Sequence, residues 1–94
     1  MFYGRLEKIN IELLNIKSDL LNSNFTQSAI ADCVLEGIPE IIQLIEAMDN
    51  VGYSDSMYKK TYAMVNSFIS LVDGTRLLTN FKVIRHHLEM FTLE

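Results

Sequence analysis

The sequence predicts an all-α fold, an antiparallel up-down bundle of about four helices, and three observations predict it. Phe2, Leu6, Ile9, Leu13, Ile16 and Leu20 recur with 4-3-4-3-4 spacing, the seam of a helix that packs along its length. Three more amphipathic stretches follow, separated by short clusters of Asn, Ser, Gly and Asp. Four Gly and one Pro in 94 residues are too few for an all-β design built on tight turns. A chain of this length suits one domain, residues 1–94, and short connections favour antiparallel neighbours.

The first helix, 2–21, carries the seam centred on Leu6 and Leu13. Tyr3, Leu14 and Leu21 form a second apolar stripe to one side, and Ile11 points nearly opposite the seam. An apolar arc this wide predicts contact with two or more neighbours, making this helix the central post. Asn22-Ser-Asn24 ends it, because short polar side chains compete for backbone hydrogen bonds. Asn24 and Gln27 have capping-box spacing for the next helix.

The second element, 25–50, buries Ile30, Cys33 and Val34 and is expected to break or kink at 37–39. Gly37 suits a C-terminal cap, and Pro39 the first position of a new helix. The apolar phase nevertheless continues across the break through Ile41, Leu44, Ile45 and Met48, so one bent helix competes with two short ones. Asn50-Val-Gly52 closes the element. The third helix, 55–73, capped by Ser54 or Asp55, is the most apolar: Met57, Tyr58, Tyr62, Met64, Val65, Phe68, Ile69, Leu71 and Val72 predict packing against the first helix. Gly74 and Thr75 then stop one helix and cap the next, 76–92. Its stripe is Leu77, Phe81, Ile84, Leu88 and Phe91, with Val83 and Met90 on the opposite face as a candidate pairing surface for a homodimer.

The net charge of −4 is unevenly spread. Residues 1–17 sum to +1 and 59–94 to +2, whereas 18–58 hold seven acids and no Lys or Arg. The N-terminus is charged too early for a signal-peptide core, and no apolar run is long enough to span a bilayer. The single cysteine makes no internal disulfide. These features predict a cytoplasmic protein, not one in a membrane.

Little in the sequence points to catalysis. Cys33 lies on an apolar stripe and reads as a core thiol. His86 and His87 are adjacent, so on a helix they diverge by about 100° and cannot grip one ion as an i, i+4 pair would. The glycines stand alone at element ends, without the clustering of a phosphate-binding loop. No enzyme, metal or cofactor is expected. Residues 26–46 have the layout of a helix-turn-helix, but the would-be recognition helix offers Glu40 and Glu46 where phosphates need bases. DNA binding is accordingly the weakest reading, and no nucleic-acid partner is expected.

The acidic middle carries the main functional expectation. If the helical phase continues through Pro39, Asp32, Glu36, Glu40, Gln43 and Glu46 fall on one outward face, with Tyr53 exposed in the loop beyond. Such a face either is merely solvated, pairs with bases such as Lys59 and Lys60, or steers association with a basic protein. Small acidic helical bundles suit inhibitors of immunity or antitoxin type, which neutralise a basic partner; that parallel is one of size and charge. The alternative is a homo-oligomeric regulator or adaptor, including a secretion-chaperone-like one.

Overall fold

Four helices make up a computed structural model of the chain: α1 (Phe2–Asn22), α2 (Ser28–Asn50), α3 (Asp55–Leu71) and α4 (Leu78–Phe91). The structure describes residues 2–22, 25 and 27–91, the first four of these in backbone only. The side chains of Phe2 and Tyr3, and the cap residue Asn24, lie outside the described residues. No strand occurs among those described.

The helices form a ring in chain order. α1 packs on α2 and α4, and α3 packs on the same two. Cross-helix contacts fix the antiparallel sense. Asn80 Nδ2 donates to Glu12 Oε1 at 2.8 Å, and Arg76 pairs with Asp19, so α4 ascends as α1 descends. Tyr58 Oη donates to the Leu88 carbonyl at 2.8 Å and Arg85 to Asn66 at 3.1 Å, so α3 and α4 are antiparallel too. The expectation that α3 packs against α1 is therefore overturned: they are the diagonal pair of the ring.

The predicted seams of α1, from Leu6 on, and of α4 lie in the core, together with part of the α2 stripe. Leu6, Ile9, Leu13, Ile16 and Leu20 from α1 are buried against Val34, Ile38, Ile41 and Ile45 of α2 and Phe81, Ile84, Leu88 and Phe91 of α4. α3 is the least buried helix, with only Thr61 and Val65 fully enclosed. Its aromatics Tyr58, Tyr62 and Phe68 lie half-buried over their neighbours instead. Thr61 satisfies its hydroxyl within its own helix, donating to the Met57 carbonyl at 2.8 Å.

Leu14 and Leu21 of the second apolar stripe of α1, and Ile11 beyond it, are only partly covered. Leu14 is 52% exposed, Leu21 63% and Ile11 49%. In a four-membered ring each helix touches two others, so the arc beyond those contacts remains on the surface. α1 is thus one corner of a square and not a central post.

α2 runs unbroken through Pro39, so of the two alternatives at 37–39 one continuous helix forms and two short ones do not. Pro39 lacks one N–H and its ring is exposed. An interior proline costs a helix about 3 kcal/mol. Each fully buried Val, Ile or Met side chain contributes about 1.5–3 kcal/mol, and five of them (Val34, Ile38, Ile41, Ile45, Met48) flank the site in one phase. Packing on both sides of the proline outweighs its local cost.

Gly37 is not a cap. A β-carbon there would lie 1.9 Å from Cζ of Phe68, so residue 37 is a notch that receives the ring. Cys33 also departs from expectation: its thiol is exposed, because it sits about 100° round the helix from buried Val34.

The ends of the helices follow their local chemistry. Asn22 Nδ2 donates to the Ser18 carbonyl at 2.9 Å in the last turn of α1. Gln27 occupies the N-cap position of α2 without a side-chain cap bond, so the expected capping box is not formed through it. Ser54 Oγ accepts from the Met57 amide at 3.4 Å and caps α3. α3 ends at Leu71, two residues earlier than expected, and Gly74 turns the chain at φ +82°, a conformation side chains other than glycine rarely adopt. Thr75 Oγ1 donates to the Val72 carbonyl and accepts from the Leu77 amide, joining the turn to α4.

Candidate interaction surface

The unbroken phase of α2 decides where its acids go. Asp32, Glu36, Glu40, Gln43 and Glu46 are all exposed and fall on the outward side of one helix, opposite Val34, Ile41 and Ile45. Among the described residues none of these four acids makes a salt bridge. Asp32 and Glu36, and Glu36 and Glu40, stand four apart, a spacing at which like charges destabilise their own helix by roughly 0.2–0.5 kcal/mol per pair. A basic counterpart would relieve that repulsion.

The bases considered as internal partners are placed differently. Lys59 pairs with Asp55 one turn earlier in α3, at 3.1 Å. Lys60 lines a shallow groove with Glu40, Gln43 and Leu44 at the α2–α3 edge of the acidic row. Arg76 is held at the opposite side of the bundle, paired with Asp19 and stacked 5.2 Å from the Phe25 ring centroid.

Tyr53 stands just past the C-terminal end of this row and is 45% exposed. Its ring centroid lies 6.0 Å from that of Tyr58 and 5.8 Å from that of Phe91, so one side is fixed by aromatic packing. Its hydroxyl donates to Asp55 Oδ1 at 3.2 Å. Partial desolvation, and then the neighbouring Asp55 carboxylate, raise the phenol above its usual pKa. The hydrogen bond and charge of Lys59 first, then the Tyr53 hydroxyl, hold Asp55 below the usual carboxylate range.

The other candidates are spread over the molecule. Val83 is exposed and Met90 half-buried on α4, remote in the ring from the outer side of α2. His86 is exposed and His87 half-buried, their ring centroids 6.1 Å apart. Among the described residues no group of three or more His, Cys, Asp or Glu is arranged to hold a metal ion, and no helix is long and apolar enough to cross a membrane. A helix-turn-helix over 26–46 is overturned by the continuity of α2.

Sequence reasoning missed a second surface feature, the groove between α1 and α2 lined by Leu6, Glu7, Asn10, Ile11, Leu14 and Asp49. The signal was available in Ile11 and Leu14, which lie off the α1 seam.

Comparison with family models, with curated proteins and with solved structures finds no match to this chain.

Proposed function

We propose that this protein is a small acidic protein–protein interaction module of inhibitor type, immunity- or antitoxin-like, that binds and neutralises a basic partner protein through the outer face of α2. The observation that carries the reading is the exposed row Asp32, Glu36, Glu40, Gln43 and Glu46 on one continuous helix, with no salt bridge to its acids among the described residues. Such a row attracts a basic protein over a Debye length and disfavours acidic competitors. Tyr53 would serve as an anchor beside it, since a tyrosine already held on one side loses little freedom when its other side is covered. The proposal assigns no catalysis to the chain. An exposed free thiol at Cys33 suits a reducing compartment, and the cytoplasm is the proposed location.

The test uses the wild-type protein and a variant carrying Glu36→Lys, Glu40→Lys and Glu46→Lys as baits in an extract of the native host. The expected result is one basic protein retained by the wild type, released by raised salt, and lost by the variant. Equal retention of the same protein by both baits would rule the acidic face out.

A homo-oligomeric regulator or adaptor is the second reading, favoured by the exposed apolar side chains Ile11, Leu14, Leu21 and Val83. Light scattering at tens of micromolar decides it, and a strict monomer removes it.

A further inference from the structure

Among the described residues two buried side-chain oxygens lack a hydrogen-bond partner, Asn10 Oδ1 and Asp49 Oδ1, and the two residues line the same groove between α1 and α2. Both atoms are acceptors, so what the groove calls for is a donor. Among the described residues its lining holds two acids, Glu7 and Asp49, and no base, within a volume of about 280 Å³. Beside these polar atoms stand Ile11 and Leu14, large aliphatic side chains about half exposed. Leu21, two turns beyond Leu14 on the same side of α1, extends the apolar strip along the helix. The far wall of the groove is α2, whose outer surface carries the acidic row.

Two acceptors left without a hydrogen bond, carboxylates with no base beside them among the described residues, and a neighbouring aliphatic strip together define an occupant with two faces. We propose that the α1/α2 groove seats a cationic amphipathic helix of the partner protein. Its apolar side chains rest on Ile11, Leu14 and Leu21, and one Lys or Arg pairs with the carboxylates of Glu7 and Asp49 at the rim of the groove. A helix laid in a groove in this way presents anchors every three or four residues, and Ile11, Leu14 and Leu21, three and seven residues apart along α1, offer it seats one and two turns apart. The outer α2 surface of a second copy is acidic and does not fit this groove, and the test below separates any other face of a second copy from a partner protein. The inference rests on the acidic-face reading above and adds the seat of the partner and its chemistry.

The experiment titrates the isotope-labelled protein with a short synthetic Leu–Lys amphipathic helical peptide and, in parallel, with the same peptide carrying Glu in place of Lys. Backbone and Asn side-chain amide shifts are followed by NMR. The expected result is saturable shifts at Asn10, Ile11, Leu14 and Asp49 with the Lys peptide and none with the Glu peptide. Asp49→Asn, and Ile11→Ser with Leu14→Ser, each weaken binding about tenfold or more, the scale of losing one charge-assisted contact or an anchor pair. Both variants alter partly exposed positions, and unchanged circular dichroism verifies their fold. Shifts confined to Asp32–Glu46 would overturn the groove while leaving the acidic-face reading intact. Equal binding of both peptides, or of neither, would overturn the cationic occupant. Line broadening without peptide that Ile11→Ser with Leu14→Ser relieves would put a second copy in the groove and overturn it as well.

Discussion

The Phe68 ring occupies the space that a β-carbon on Gly37 would need, with Cζ 1.9 Å from where that carbon would sit. This contact fixes how closely α3 can approach α2, and Phe68 in turn packs against Phe81 of α4 at a centroid distance of 5.5 Å. Gly37→Ala sets two effects against each other. Alanine favours a helix interior by about 1 kcal/mol over glycine, whereas forcing an extra carbon into a packed contact costs about 1–3 kcal/mol. Because the ring is wedged between two helices, the clash is expected to win, and urea unfolding should show a net loss of stability. Adding Phe68→Leu to Gly37→Ala should return part of the loss; if Gly37→Ala alone raises the midpoint, the ring is free to move aside.

Pro39 sits exposed inside α2 and withholds one helical hydrogen bond. Pro39→Ala restores that donor without removing a buried contact, so thermal unfolding should move upward, by about 1–3 kcal/mol at the midpoint. A lower melting temperature would mean that the proline, through its fixed φ, helps hold the geometry of the acidic face.

The exposed Cys33 thiol predicts stoichiometric reaction of the folded protein with an aromatic disulfide reagent, at a rate near that of a free thiol. Cys33→Ser should change stability by less than about 0.5 kcal/mol, as at other surface sites. A reaction that proceeds only as fast as unfolding would return Cys33 to the core.

The Tyr53–Asp55–Lys59 chain gives opposite signs at the two ends of the pH range. Asp55 is depressed, so its contribution is present above its unfolded value and is lost as pH falls through the lower folded one. Tyr53 is raised, so its contribution is present below its unfolded value and disappears as pH rises through the higher folded one. Asp55→Asn should move the Tyr53 phenol back toward its ordinary pKa. Ultraviolet phenolate absorbance, with Tyr53→Phe as the subtraction control, measures this; an unmoved titration would show that packing against Tyr58 and Phe91 alone sets the shift.

How far the sequence could be read differs from element to element. The seams of α1 and α4 were legible because a 4-3 repeat of large aliphatic and aromatic residues has one physical solution, burial along a helix. The acidic row was legible too, but only conditionally, since its outward alignment required α2 to pass through Pro39 intact. That condition was half legible: the apolar phase carried on through Ile41, Ile45 and Met48, but the breaker signals at 37–39 are local, whereas Phe68, which needs the notch, lies 31 residues away. Cys33, Leu14 and Leu21 show a different limit. Residue type says that a side chain tolerates burial, but which side of a stripe is covered depends on where two neighbouring helices stand. The pairing of α3 with α2 and α4 instead of α1 is of the same kind, because the apolar face of a helix does not name its partners. The groove oxygens of Asn10 and Asp49 belong to residues 39 apart, and no periodicity links them.

The ring order of the helices has a consequence for how the chain assembles. Three of its four lateral interfaces, α1/α2, α2/α3 and α3/α4, join elements consecutive in sequence, and only α1/α4 closes a long loop. The entropy of a distant closure is met once, and topologies dominated by local contacts fold on microsecond to millisecond timescales. Glu12–Asn80 and Asp19–Arg76 span that single distant seam, so their formation times the moment at which a train of hairpins becomes a closed bundle.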